Sequence, residues 1–145
     1  MHKALASNGD AEIILKLYEL RTEAVLRAAR AWLVVEFWPE TADDFFAVMN
    51  GFGSQHNAYL RQVTSYWEMA SALVLHGAVS SDLYLDTNGE GFFILAKLSH
   101  ILPEILEQRP AFMAKTRRVI DEYQVAAQTF ESMKRTVAKT RAARA

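Results

Sequence analysis

The sequence predicts an all-α fold, an up-down bundle of four main helices with one or two short helices inserted. Apolar residues recur every three or four positions along most of the 145-residue chain, as on one face of a helix. Residues suited to helix N-caps, and glycines suited to helix C-termini, separate these stretches. No stretch shows the strict apolar-polar alternation that is typical of a half-buried strand.

The clearest helical stretch runs from Ser54 to Gly77 and is expected to be the central helix. Ser54 or Asn57 can cap its start, and Gly77 suits a left-handed residue at its end. Because the apolar positions fall on one broad stripe, this helix should face the core along its length. The positions in this stripe are Tyr59, Val63, Tyr66, Trp67, Ala70, Leu73 and Val74.

Before the central helix we expect a disordered N-terminus, residues 1–10, and then one long helix. Asp10 is a suitable cap for a helix that begins at Ala11. Neither glycine nor proline interrupts the apolar pattern until Pro39, which disfavours helical geometry at the residue before it. The first helix should therefore extend from Ala11 to about Phe37.

Shorter helices are predicted on either side of the central one. Thr41 and Asp44 have the spacing of a capping box, which predicts a short helix over about 42–50. Ser80 or Ser81 can cap a further turn or two after Gly77. A helix should follow from Phe92 to about Gln108, with a kink or restart at Pro103.

The last helix should open at Pro110 and carry an apolar edge that is long for a compact bundle. We expect the unused part of this edge to form a homo-oligomeric interface, in the simplest case a homodimer. The single helical domain would span residues 11–138, followed by a fraying basic tail at 139–145. The predicted interface residues are Met113, Ile120, Tyr123, Phe130 and Val137.

Composition excludes several classes of function. The chain has no cysteine, so disulfides, thiolate metal sites and cysteine nucleophiles are excluded. Hydrophobic residues at 51% and charged residues at 23% are values of an ordinary folded domain. No secretory signal and no uncharged run of transmembrane length is found, which predicts a cytoplasmic protein without a membrane span.

Charge is distributed unevenly along the chain. Between Glu36 and Glu107 there are ten acidic residues and two basic ones, whereas Ala111–Ala145 contains eight basic and three acidic residues. The two regions could attract each other within one fold or across a dimer. The basic C-terminal tract lacks interleaved aromatic residues, so it gives no strong indication of nucleic-acid binding.

Motifs for metal or phosphate binding are incomplete. The loop that begins at Asp86 resembles the start of a calcium-binding EF-hand loop, but Lys97 occupies the twelfth position, where a bidentate glutamate is required. No glycine-rich phosphate loop and no Glu-x-x-His pair of a di-metal bundle occurs. We therefore predict neither a metal site nor a cofactor, and no catalytic residue can be assigned.

Glu68 is the most informative polar residue, because it follows Trp67 on the helix most certain to be buried. A buried carboxylate needs a partner, and the candidates are Arg61 on the same helix and Arg21 or Arg30 on the first helix. It could instead face water at the helix edge or form a structural ion pair. The candidate ligand site consists of Arg30, Arg61, Tyr66, Glu68 and His76.

Three segments carry a family pattern: RAWLVVEFWPET, YLRQVTSYWEMASALVLHGAVSSDLYLD and GFFILAKL. Their central feature is an aromatic-Trp-Glu sequence, here Tyr66, Trp67 and Glu68, on a helix that ends at Gly77. In these segments, over about residues 28–115, the chain resembles a bacterial family of small helical proteins of unknown function. The resemblance implies a helical fold and a bacterial source, and it carries no activity.

Two functions are compatible with the sequence. The first is a non-enzymatic helical interaction module, homo-oligomeric and with an unknown protein partner. The second is a small-ligand-binding or catalytic bundle with a polar pocket around Glu68. A cavity lined by Arg30, Tyr66 and Glu68 would favour the second function, and a closed core with a flat apolar patch would favour the first.

Overall fold

The computed structural model describes residues 4–145, so residues 1–3 of the predicted disordered N-terminus lie outside the described part. The all-α prediction is confirmed, since no strand occurs within residues 4–145. The elements are α1 Asn8–Arg21, α2 Ala24–Ala31, a π-helical segment Trp32–Glu36, α3 Ala42–Met49, α4 Gln55–Leu75, α5 Ser81–Thr87, α6 Glu90–Leu98, α7 Leu102–Gln108, α8 Ala114–Glu122 and α9 Gln124–Arg144.

Helix α4 is the central helix, as predicted. The Ser54 side chain accepts a hydrogen bond from the Asn57 backbone N–H at 3.1 Å, and Gly77 has a left-handed φ of 71°. Helices α2, α3 and α8 and the π-helical segment all pack against α4. The side chains of α4 at the centre of the core are Leu60, Val63, Trp67, Ala70 and Val74.

The predicted long first helix is wrong, because the chain breaks between Arg21 and Ala24. Glu23 has extended backbone angles there, and its carboxylate caps α2 by accepting the Leu26 backbone N–H at 2.9 Å. Glutamate is an uncommon N-cap, which is why the pattern gave no sign of the break. The start is also corrected: Ser7 caps α1, and Asp10 is its reciprocal capping-box partner.

Both short helices predicted beside α4 are present. Thr41 and Asp44 form the capping box of α3, and Ser80 caps α5. The expected restart also occurs, because α6 ends at Leu98 and α7 begins at Leu102 with Pro103 in its first turn. A proline in the first turn removes no intrahelical hydrogen bond.

The predicted single last helix is wrong as well. Pro110 lies in a turn, Met113 adopts a left-handed φ of 46°, and α8 begins only at Ala114. Tyr123 is extended, with φ −121° and ψ 118°, and separates α8 from α9. This break lets α8 pack on α4 while α9 folds back onto α6 and α8.

The apolar edge of the last segment is mostly used inside the folded chain. Met113, Ile120 and Val137 are buried, and Tyr123 and Phe130 are partly buried against the core. Because the chain turns at Tyr123, these five residues do not form one continuous stripe seven turns long. The predicted interface assumed one continuous and uncovered apolar edge. This assumption is wrong, since at least three of the five residues are buried against other parts of the same chain.

No helix within residues 4–145 combines the length and the apolar character needed to cross a membrane.

Candidate functional site

Glu68 is the cap of a neighbouring helix. Its carboxylate accepts the backbone N–H groups of Lys115 at 3.0 Å and Thr116 at 2.8 Å, and the Thr116 hydroxyl at 2.9 Å. These two N–H groups lie in the first turn of α8, where no intrahelical acceptor exists and negative charge is favoured. Glu68 therefore joins α4 to the start of α8, which is a structural role.

Replacing Glu68 with alanine should lower the free energy of unfolding by about 1–2 kcal/mol, the usual cost of a lost helix cap. Urea denaturation would measure this loss. The matched control is Glu107→Ala, since Glu107 is an exposed carboxylate on α7, and its removal should change stability by less than about 0.5 kcal/mol. Equal effects of the two substitutions would contradict the capping role.

The other predicted ligand residues are not brought together. Arg61 is exposed and donates to the Asn57 side-chain oxygen at 3.0 Å, and His76 is exposed at the end of α4. The Tyr66 hydroxyl donates to the Leu17 carbonyl and so fastens α4 to α1. Burial raises the pKa of Tyr66 to about 12, so its hydroxyl keeps its proton at neutral pH.

Arg30 pairs with a residue that sequence reasoning missed. Its guanidinium forms two hydrogen bonds of 2.9 Å with the Glu90 carboxylate, a bidentate arrangement that raises the pKa of Arg30. Glu90 also accepts the indole N–H of Trp67 at 2.9 Å. Arg30 and Tyr66 are close enough to interact electrostatically, but they line two different recesses, and Glu68 lines neither of these.

A different set of residues surrounds Trp38, in the connection between the π-helical segment and α3. Pro39 prevents the helix from continuing, and the Trp38 indole N–H donates to the Val35 carbonyl at 2.9 Å. A recess of about 280 Å³ opens beside the ring. It is lined by Trp38, Glu40, His100, Arg141, Arg144 and Ala145.

Backbone carbonyls hold the basic groups in place around this recess. Arg141 donates to the Lys97 carbonyl at 3.0 Å and to the Pro39 carbonyl at 3.3 Å. A ring nitrogen of His100 lies 3.0 Å from the same Pro39 carbonyl. Three parts of the chain, the Trp38 connection, the end of α6 and the end of α9, thus meet at one point.

Three cationic groups contact the indole of Trp38. The Lys97 ammonium nitrogen lies 4.4 Å from the ring centroid, and the guanidinium carbons of Arg144 and Arg141 lie 5.0 and 5.5 Å from it. These are distances of cation-π interactions, which stabilise each cation on the ring. The end of α9 is held here, so the tail that was expected to fray is helical up to Arg144.

Lys97 lies behind Trp38 and is only 2% exposed. Its side chain donates to the carbonyls of Leu33 at 2.7 Å and Val34 at 2.9 Å. Both carbonyls are at the C-terminal end of the π-helical segment, where a cation is favoured and intrahelical donors are missing. Burial, and then the positive charges of Arg144 and Arg141, lower the pKa of Lys97 to about 7.

Arg144 differs from its neighbours in having unused donors. Within residues 4–145 its guanidinium makes the contact with Trp38 and no hydrogen bond or ion pair. Glu40 is the one acidic side chain among the described residues that line the recess. The recess is therefore lined by two guanidinium groups and one acidic side chain, and the donors of Arg144 face solvent, where an anion could bind them.

Sequence reasoning missed this site, although local signals were present. Trp38-Pro39 marks a helix end, and the spacing of Lys97 from His100 and of Arg141 from Arg144 puts each pair on one helix face. Nothing in the sequence shows that these faces meet. Among residues 4–145, no group of three or more histidine or acidic side chains is placed to hold a metal ion.

A family model described as Domain of unknown function (DUF4760) matches residues 6–123. The match covers most of the chain, so the chain belongs to this family, and the predicted membership of a family of unknown function is confirmed. No curated protein and no solved structure matches the chain. Trp38, Lys97 and His100 lie within the matched range, whereas Arg141 and Arg144 lie beyond it.

Proposed function

We propose that this member of the DUF4760 family is a non-enzymatic binding module that holds a small anion, a phosphate or carboxylate group, in the recess beside Trp38. One observation carries the proposal: Arg144 lines the recess with a guanidinium that has no hydrogen-bond partner within residues 4–145. A guanidinium presents five donors in a planar fork that matches phosphate and carboxylate oxygens.

The charge around the recess supports an anionic ligand. Arg141 and Arg144 line it together with His100, and Glu40 supplies one opposing carboxylate. Arg141 is already held by two backbone carbonyls, so it provides positive charge in a fixed position. Such preorganised charge needs no rearrangement when the anion arrives, which favours binding.

The size of the recess supports a small group. A volume of about 280 Å³ is at the lower end of small-molecule pockets, which suits a phosphate or a short carboxylate rather than a nucleic-acid strand. Lys97 would be the natural nucleophile, but it does not line the recess, and its amine is occupied by two carbonyls. Binding is therefore a better account than catalysis.

Calorimetric titration with inorganic phosphate, and separately with citrate, tests the proposal and distinguishes the two anion classes. Saturable binding of one anion per chain is expected for at least one of them. Arg144→Gln should weaken this binding about 10- to 100-fold, the effect of losing a charge-assisted hydrogen bond.

The matched control is Lys139→Gln, which removes one positive charge from an exposed position of the same helix. Its affinity should stay within about twofold of the wild type, because an exposed charge is screened by salt. Absence of saturable binding for both anions, or equal losses in the two variants, would overturn the proposal.

Self-association, a bacterial source and a cytoplasmic location remain expectations from the sequence and form part of this proposal. The opposed charges of the middle and C-terminal regions still favour a homo-oligomer, but its contacts would not include the buried Met113, Ile120 or Val137. Light scattering at micromolar concentration should give a molar mass of at least twice the 16.4 kDa of one chain. A molar mass equal to that of one chain would contradict the proposed self-association.

A further inference from the structure

Lys97 is a buried amine in a group of positive charges that lacks a matching number of carboxylates. The charged or titratable groups near it are Arg141 and Arg144 from α9, His100 after α6, and Glu40 from the connection before α3. Lys97 itself forms no ion pair within residues 4–145. Its charged form is therefore opposed by burial and by two guanidinium groups.

We propose that the recess binds its anion together with a proton, and that the side chain of Lys97 accepts this proton. The inference rests on the proposed anion-binding function and specifies how that site responds to pH. Its physical basis is that one indole ring, the side chain of Trp38, contacts Lys97, Arg141 and Arg144 at once. Arg144 is exposed and Lys97 is buried, so an anion held by Arg144 would act on Lys97 across the Trp38 ring.

The surroundings of Lys97 fit both of its protonation states. A neutral amine has two N–H groups, and two carbonyls, those of Leu33 and Val34, accept hydrogen bonds from it. The additional proton of the ammonium form has no third hydrogen-bond acceptor within residues 4–145, and the face of Trp38 lies 4.4 Å away. Loss of the proton therefore leaves both hydrogen bonds in place, so the fold does not have to change.

An anion in the recess would favour the charged form of Lys97. Burial and the two arginines lower the pKa of Lys97 to about 7, so most chains carry a neutral amine at pH 8. A negative charge on Arg144 offsets a positive charge that lowers the pKa of Lys97, so the bound anion raises this pKa. Each anion bound at pH 8 should then be accompanied by the uptake of a fraction of a proton.

The direction of the pH effect follows from this linkage. Because the pKa of Lys97 is higher with the anion bound than without it, binding is tighter where Lys97 is charged. Over pH 7–9 the affinity should therefore be highest at pH 7 and should fall as the pH rises to 9. Sulfate is the suitable probe, since its own charge stays constant over this range.

The test is calorimetric titration of the full chain with sulfate at pH 8, in Tris and in HEPES. The difference between the two observed enthalpies, divided by the difference between the buffer ionisation enthalpies, gives the protons taken up per anion. We expect a positive value below one for the wild type and for Lys139→Met, and a value near zero for Lys97→Met.

Lys97→Met leaves two carbonyls without donors and could fail to fold, so NMR of the lysine side chains of the wild type provides a second test. One of the six lysines should titrate near pH 7, and sulfate should move its midpoint upwards. Saturable binding without proton uptake, or uptake that persists in Lys97→Met, would overturn the inference and leave the proposed function intact. Absence of saturable binding would overturn both.

Discussion

Replacing Trp67 with alanine is expected to lower the free energy of unfolding by about 3–5 kcal/mol, the usual cost of removing a buried aromatic side chain. Trp67 is 1% exposed at the centre of α4, and its ring packs edge-on against Tyr66 with the centroids 4.9 Å apart. Its indole N–H also donates to Glu90. For a domain with a total stability of about 5–15 kcal/mol, this loss approaches unfolding.

Urea denaturation followed by circular dichroism measures this loss. Trp67→Phe keeps most of the ring but removes the donor to Glu90, so it should cost less, about 1–3 kcal/mol. Phe52→Ala is the control for an exposed aromatic residue, since Phe52 is 74% exposed, and it should change stability by less than about 0.5 kcal/mol. A Trp67→Ala loss below about 1 kcal/mol would contradict the central position of α4.

The folded chain is expected to become more stable as the pH rises from 7 to 9. The pKa of Lys97 is about 7 in the folded chain, and an unfolded lysine has an ordinary value near 10.4. Between these values the unfolded chain binds more protons, so stability increases with pH, by about 2 kcal/mol over this interval. Below pH 7 both states carry the proton, and this contribution becomes constant.

Denaturation curves at pH 7, 8 and 9 provide the measurement, and Lys97→Met is the variant that identifies the group. Methionine has similar length and no charge, so it should remove the increase while losing the hydrogen bonds to Leu33 and Val34. Lys139→Met, at an exposed position, should keep the increase. A flat wild-type profile would mean that Lys97 is charged throughout, in conflict with its surroundings.

Helix ends that are determined by local capping residues were predicted correctly from the sequence. Ser54, the Thr41–Asp44 capping box, Ser80 and Gly77 act at the ends where they were expected. The two missed helix breaks have different causes: at Glu23 an uncommon N-cap residue gives no local signal, whereas at Tyr123 tertiary packing overrides the local preference for helix. At Tyr123 the chain leaves a strong helical pattern so that α8 and α9 can pack on different neighbours.

The candidate site was not predictable in the same way, because its residues are distant in the sequence. Lys97 meets Leu33 across 64 positions, and Arg141 meets Pro39 across 102. Glu68 illustrates the opposite error: its need for a partner was recognised, but it is only partly buried, and its partners are backbone N–H groups of α8, which leave no side-chain pattern. The residue types around Glu68 therefore suggested a ligand pocket, whereas in the structure Glu68 caps α8.

The most direct test of anion binding at Trp38 is a two-dimensional NMR titration of the indole N–H groups with inorganic phosphate and, separately, citrate. The chain has three tryptophans, so three signals are expected, and assignment by Trp38→Phe identifies the one at the recess. We predict that the Trp38 signal moves to a saturating limit with at least one anion while the signal of Trp67 stays unchanged, and that Arg144→Gln shifts the midpoint to higher concentration. No saturable change at Trp38 with either anion would contradict the account.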